Sequence, residues 1–150
     1  MSQSDEPVAR TWDGEPVSSE PPFGAVIVVY RWIGNELTFL VLHRGQFGPA
    51  FDGDWAWGPP SGARCPGEDI DSCAARELLE ETGFSLAISR LSDDDANWYT
   101  YLGEETSFAE PHLSSEHDRF AWLSFDAAVD RITPEVVRAQ FIEAAYHVPR

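Results

Sequence analysis

A chain of 150 residues with 26 acidic against 10 basic side chains carries a formal charge of −16 at neutral pH. That length is one domain with room for a real core, and the charge argues against nonspecific binding to nucleic acid or to an anionic membrane. No stretch approaches the roughly 18 apolar residues of a membrane span, and the N-terminus lacks the basic start and apolar centre of a signal peptide.

Residues 1–22 are rich in Ser, Glu and Pro and read as a flexible or loosely docked tail, with Trp12 its one possible anchor. The remainder, 23–150, is expected to form the domain. Phe23 to Tyr30 is an apolar run of buried-strand type, Gly34-Asn35 is a turn signal, and Leu37 to His43 returns as its partner. Arg44 to Asp54 holds three glycines and a proline and reads as a loop; Trp55-Ala56-Trp57 follows as a short strand. Beyond a helix taken up below, strands are expected at Phe84–Leu91 and Trp98–Leu102, with Asp93-Asp94-Asp95 a solvated turn rather than a metal site. Arg119–Leu123 is a late strand. Phe125–Val129 and Glu135–Ala145 are helices, the second begun by Thr133 as cap and Pro134 at its first position. No internal repeat is present. Strands and helices in this mixed order predict an α/β fold, a sheet covered by helices on both sides.

One segment carries chemistry: Gly62-Ala-Arg-Cys-Pro-Gly-Glu68, then seven residues, then Arg76-Glu77-Leu78-Leu79-Glu80-Glu81-Thr82-Gly83-Phe84. Pro66-Gly67 marks a turn. Glu68, Asp69 and Asp71 suit the positive N-terminal end of a helix. Ala74, Ala75, Leu78 and Leu79 supply its apolar stripe, and Gly83 is a left-handed stop. The spacing predicts a helix from about residue 70 to about residue 82. Glu77 lies three residues before Glu80 and four before Glu81, so all three share a face near the end where the macrodipole disfavours anions. Each penalty is some tenths of a kcal/mol. Clustered carboxylates suit a hard divalent cation such as Mg2+, and Arg76 offers a counter-charge that can orient one of them. Taken alone, the three glutamates also fit a solvated acidic face. Cys65 and Cys73 lie in this segment and make no metal motif. A bond between them would constrain it, so free thiols in a reducing cytoplasm are expected.

As a whole the segment resembles the box of the Nudix hydrolase superfamily: Gly, five residues, Glu, seven residues, Arg-Glu-apolar-any-Glu-Glu-any-Gly-apolar. Gly62, Glu68, Arg76, Glu77, Leu78, Glu80, Glu81, Gly83 and Phe84 fill every defined position. The resemblance runs over most of residues 23–146. It implies an α/β/α sandwich with a mixed sheet, and hydrolysis of a nucleoside diphosphate linked to another group, with Mg2+ (or Mn2+) as cofactor. It implies that Glu77, Glu80 and Glu81 bind metal or activate water, that Glu68 supports that set, that Arg76 holds a glutamate in place, and that Ser61 gives a backbone carbonyl to metal. The family frequently has Gly at that last position. The chemistry agrees: cleaving a phosphoanhydride needs charge neutralisation on the non-bridging oxygens and an activated water, both of which metal ions supply. The glutamate that serves as base stays open.

Trp57-Gly58-Pro59-Pro60-Ser61-Gly62 with Pro66-Gly67-Glu68-Asp69 looks like the entrance to the box in asymmetric dinucleoside tetraphosphate hydrolases. Ser114-Ser115-Glu116-His117-Asp118-Arg119-Phe120-Ala121-Trp122-Leu123, followed by Asp126-Ala127-Ala128, is similar to the end of those enzymes and of Nudix enzymes acting on nucleoside triphosphates. Those tetraphosphate hydrolases usually carry Lys before the box glycine and His after it; here stand Ser61 and Ala63. Arg64 is a substitute phosphate partner, or a surface arginine in an acidic loop. Arg44 is a second candidate contact to phosphate. Glu116 is a candidate metal ligand or base from outside the box, and His117 is expected to be structural. Trp55, Trp57, Tyr99, Tyr101, Phe108 and Trp122 suffice for a base-stacking cleft, although most are expected in the core. The leading substrate is a dinucleoside polyphosphate; a nucleoside triphosphate or nucleotide sugar is the alternative within the enzyme class. A noncatalytic nucleotide-sensing module and an acidic interaction domain are the alternatives outside it. Oligomeric state is not fixed by these residues.

Overall fold

Ten residues, Gly24–Ile33, form strand β1, and its aliphatic and β-branched run explains why it becomes the central strand. A strand covered on both faces needs apolar side chains at nearly every position, and β1 is buried from Gly24 to Arg31. The Gly34-Asn35 turn returns the chain into β2 (Glu36–Arg44), antiparallel to β1 with Ile33 opposite Glu36. The computed structural model, which describes residues 11, 14–91 and 96–150, completes a seven-stranded mixed sheet. Strand β6 (Trp98–Glu104) runs parallel to β1, β5 (Ile88–Arg90) pairs antiparallel with β6, and β7 (His117–Leu123) pairs antiparallel with β2.

The sheet divides between β1 and β2, and this division creates the site. The two strands pair only between Tyr30–Ile33 and Glu36–Phe39. Past that point β2 pairs with β3 (Trp57–Gly58), while Gly24, Ala25 and Val26 of β1 pair with β4 (Ser61–Ala63). Pro59 and Pro60 join β3 to β4, and the Ile27 amide donates to the Pro60 carbonyl at 2.8 Å. The box entrance is thereby wedged into the open end of the sheet.

Helices cover both faces, giving three layers. Alternate residues Ala25, Ile27 and Val29 face helix α1 (Ile70–Thr82) and pack with Cys73, Ala74 and Leu78. On the other face Val28, Phe39 and Val41 pack against α2 (Phe125–Arg131) and α3 (Glu135–Tyr146). Phe39 and Phe141 meet edge to face with centroids 5.0 Å apart, a favoured aromatic geometry. No described helix is long and apolar enough to cross a membrane.

Several elements differ from the sequence reading, each for a local reason. Strand β1 continues past Tyr30 because the buried Arg31 has a full set of partners. Its Nε and Nη2 donate to Glu105 Oε1 at 3.0 and 2.7 Å, and Nη2 also donates to the Ala109 carbonyl. Its guanidinium lies 4.0 Å from the Trp122 ring centroid and 5.1 Å from that of Phe108. Of Phe84–Leu91 only Ile88–Arg90 pairs as strand, because the Phe84 amide donates to Thr82 Oγ1 and its ring turns into the α1 face of the core. Trp55 does not enter β3; its φ is 71°. Thr133 does not cap α3: Pro134 occupies the cap position without a side-chain bond, and the Thr133 carbonyl instead accepts from the Trp55 amide at 2.7 Å. Trp12 and Asp93-Asp94-Asp95 lie outside the described residues. Within 14–22, Ser18 is buried and its amide donates to the Arg64 carbonyl at 2.7 Å.

Candidate active site

Helix α1 is fixed at both ends, and that fixes the carboxylates it carries. Asp69 caps it, accepting from the Ser72 amide at 3.0 Å. Gly83 ends it in the left-handed region at φ 75°, its amide donating to the Leu79 carbonyl. The buried stripe of Cys73, Ala74 and Leu78 sets the rotation of the helix on the sheet. Glu77, Glu80 and Glu81 then grade from solvent into protein: the side chain of Glu80 is 51% exposed, that of Glu77 is 14% exposed, and residue Glu81 is 4% exposed. The Ser61 amide donates to Glu81 Oε1 at 3.0 Å, locking the helix to β4. The box glycine is required by contact: a Cβ on Gly62 would lie 1.9 Å from Glu77 Cδ and 2.1 Å from its Oε2.

Arg76 ties the acids together. Its Nε and Nη2 donate to the two oxygens of Glu68, and Nη1 donates to Glu77 and to Glu80 at 2.8 Å each. Glu68 also accepts from the Cys65 amide. Both Glu68 oxygens are therefore engaged, and Glu68 reaches the carboxylate set through Arg76 rather than directly. The Arg76 hydrogen bonds, with the Cys65 amide, outweigh burial and hold Glu68 below the usual carboxylate range.

Glu116 enters from outside the box. Its carbonyl accepts from the Gly45 amide at 2.9 Å and from the Gln46 amide at 3.4 Å, which anchors it to the 3-10 turn Gly45–Phe47 after β2. A Cβ on Gly45 would meet Asp118 at 2.6 Å, so only glycine admits this approach. A carboxyl oxygen of Glu116 lies within 4.8 Å of one of Glu81. Burial first, then the neighbouring Glu116 carboxyl, push Glu81 well above its ordinary value. Glu77 is pushed up to about 7, by burial first, opposed by Arg76 and reinforced by Glu80 and Glu116. Two carboxyls this near each other, one of them buried, do not readily both ionise without a positive partner. An all-oxygen cluster of this kind fits a divalent cation.

Two cavities meet here. An acidic one of about 640 Å³ is lined by Arg76, Glu77, Glu80, Glu81 and Glu116, with Glu15 and Pro16 on its rim. An apolar one of about 310 Å³ is lined by Trp55, Trp57, Trp98, Val136, Val137 and Gln140. Arg44, Ser61, Glu81 and Trp98 line both. The Arg44 guanidinium makes no hydrogen bond or ion pair among the described residues, and it stands at the junction.

Other expected site residues are placed differently. Arg64 lines neither cavity. Its guanidinium donates to the carbonyls of Pro22, Glu68 and Glu20 and to Ser18 Oγ, all within 2.9 Å. It clamps residues 18–22 to the box loop, and the phosphate contact expected of it is not what the structure builds. Tyr99 and Tyr101 belong to the core under α1, and Phe108 and Trp122 flank Arg31. Trp98 was not among the aromatic residues expected in a cleft; as the first residue of a strand it carries no pattern that marks it, and it is found against Gly24, where a Cβ would meet its ring at 2.4 Å.

The NUDIX domain family profile matches residues 21–144. The chain belongs to that family. An octanoyltransferase of Myxococcus xanthus is 30% identical over 152 residues, covering 88% of this Nudix chain but only 40% of that protein. The solved fold of a Caenorhabditis elegans Ap4A hydrolase binary complex superposes with TM-score 0.64 at 20% identity, over 82% of this chain and 94% of that one. RenU, a Nudix hydrolase of Mycobacterium smegmatis, superposes with TM-score 0.67 at 16% identity, over 97% and 98%. At such identities the likeness to the solved structures is one of fold. The Nudix α/β/α arrangement with a mixed sheet is the one observed.

Proposed function

We propose that this Nudix protein is a divalent-metal-dependent pyrophosphohydrolase that cleaves a phosphoanhydride bond in a nucleoside diphosphate derivative, with a dinucleoside polyphosphate as preferred substrate. The observation that carries the proposal is the convergence of the Glu81 and Glu116 carboxyls, with oxygens within 4.8 Å of each other, where an acidic and an aromatic cavity join. The acidic cavity suits metal and polyphosphate, and the aromatic one suits a stacked base. Arg44 lines both cavities where they join, and its planar fork suits phosphate oxygens. The large acidic cavity and the motifs around the box favour the longer, two-ended substrate.

Bound Mg2+ or Mn2+ supplies Lewis acidity and neutralises the phosphate oxygens. Glu77, Glu80, Glu81 and the Ser61 carbonyl are the residues to hold it. Arg76 orients Glu77 and Glu80, and Glu68 orients Arg76. Proton acceptance from the attacking water falls to the carboxylates that converge on the acidic cavity, Glu77, Glu80, Glu81 and Glu116. Gly62 lets the Glu77 carboxylate lie against β4. The free thiols Cys65 and Cys73 accord with a reducing cytoplasm, and the charge of −16 with a small-molecule rather than a nucleic-acid partner.

One observation favours a second reading. With Ser61 and Ala63 flanking Gly62 and Arg64 engaged elsewhere, a nucleoside triphosphate or nucleotide sugar needs fewer cationic contacts than a tetraphosphate bridge. Mass-spectrometric product analysis on dinucleoside polyphosphates, nucleoside triphosphates, ADP-ribose and nucleotide sugars separates them. Metal-dependent cleavage is expected to be fastest with the dinucleoside polyphosphates. In Glu80→Gln it falls by orders of magnitude while the fold stays intact. Turnover unaffected by Glu80→Gln, or none on any of these substrates, overturns the proposal.

A further inference from the structure

We propose that His117 is a metal ligand, completing with Glu81 and Glu116 a carboxylate–carboxylate–imidazole position at the neck between the two cavities that favours Mn2+ over Mg2+. The inference rests on the metal-dependent reading above and goes beyond the box carboxylates. One ligand atom each from Glu81, Glu116 and His117 lie within 4.8 Å of one another.

Glu116 lies in the turn that precedes β7 and His117 is the first residue of that strand, so strand alternation does not force their side chains apart. Beside them the β2–β7 register slips: His43 faces Arg119 and Arg44 faces His117, leaving Asp118 as the extra residue. A bulge of this kind re-aims side chains. It is held by His43, whose Nδ1 pairs with Asp118 Oδ1 and whose Nε2 pairs with the Phe51 carbonyl, both at 2.7 Å, and by the close approach of Gly45 to Asp118. Glu116 lines the acidic cavity, His117 lines the aromatic one, and Glu81 lines both.

His117 Nδ1 is buried and has no hydrogen-bond partner among the described residues. A buried polar atom left unsatisfied is costly and calls for a partner. An ion between these three groups is such a partner. Mg2+ prefers oxygen ligands and water, whereas Mn2+ accepts imidazole beside carboxylate.

The test is pulsed electron paramagnetic resonance on the full chain loaded with Mn2+. Modulation from a directly bound imidazole nitrogen is expected, and growth of the protein on 15N-histidine should change it to the 15N pattern without any substitution. His117→Gln should abolish it and weaken Mn2+ binding at least roughly tenfold, with Mg2+ binding changed much less. Mn2+ bound without nitrogen coupling in the unsubstituted protein overturns the His117 assignment and leaves the hydrolase reading intact. Failure of Mn2+ to bind at all, in the same titration, overturns both.

Discussion

Gly62→Ala probes the tightest contact in the site. A methyl group at Gly62 would lie 1.9 Å from Glu77 Cδ, against an ordinary contact of 3.4 Å or more, so the carboxyl carbon must retreat by about 1.5 Å. The obstructing atoms end a flexible side chain, so the fold survives at a cost of about 1–3 kcal/mol. The chemistry does not: a misplacement of about 1 Å in a catalytic group can cost roughly a hundredfold in rate. A retreating Glu77 also disturbs its bond from Arg76 Nη1, and with it Glu80. We expect kcat to fall at least roughly a hundredfold, and metal affinity with it, while thermal unfolding stays cooperative. Steady-state kinetics, a Mn2+ titration and a melt measure the three. A soluble Gly62→Ala protein with kcat and metal affinity within threefold of the original would refute the reasoning, since Glu77 would then be free to move without consequence.

Other substitutions address the remaining parts. Trp55→Ala removes one wall of the aromatic cavity without touching the carboxylates; stacking worth about 1–3 kcal/mol predicts a KM rise of roughly 5- to 160-fold with kcat nearly unchanged, and an unchanged KM removes Trp55 from substrate binding. Asp69→Ala deletes the cap of α1 and should cost about 0.5–2 kcal/mol in a denaturant melt; a null effect means the helix start is held by other contacts. Burial raises Glu105, but hydrogen bonds from Ser107, Arg31 and the Phe108 amide, with the Arg31 charge, outweigh it and hold it below the usual carboxylate range. Its folded value is depressed, so its contribution is full above the unfolded pKa of about 4.3 and is lost as pH falls through the folded value. The stability difference between the original protein and Glu105→Gln should therefore shrink below about pH 4; a difference constant down to pH 2 contradicts it.

What could be read from the residues was what a local pattern encodes. The α1 span, Ile70–Thr82, follows from acids at one end, Gly83 at the other and a 3.6-residue stripe between. The β1–β2 hairpin follows from its apolar runs and the Gly34-Asn35 turn. The box glutamates were legible because their spacing sets one helix face. Long-range partners were not. Arg31 reads as the end of a strand until Glu105, 74 residues away, is placed on it. Arg64 reads as a phosphate ligand until the carbonyls of Glu20 and Pro22 are found on its guanidinium. His117 reads as structural because nothing local marks it as a ligand, and its nearness to Glu81, 36 residues away on α1, appears only once β7 is placed. Strand β4 was missed because three residues, Ser61-Gly62-Ala63, carry no strand signal of their own and are recruited by the open edge of β1.

The central claim is water attack on a phosphoanhydride, driven by the box carboxylates and a divalent ion. Turnover of a dinucleoside polyphosphate in 18O-labelled water tests it directly by mass spectrometry of both products. One 18O atom per turnover should appear on a phosphate of one product, with Mg2+ or Mn2+ present, and should vanish with chelator and in Glu80→Gln. Cleavage that persists without metal or in Glu80→Gln, or that leaves both products unlabelled, would contradict it.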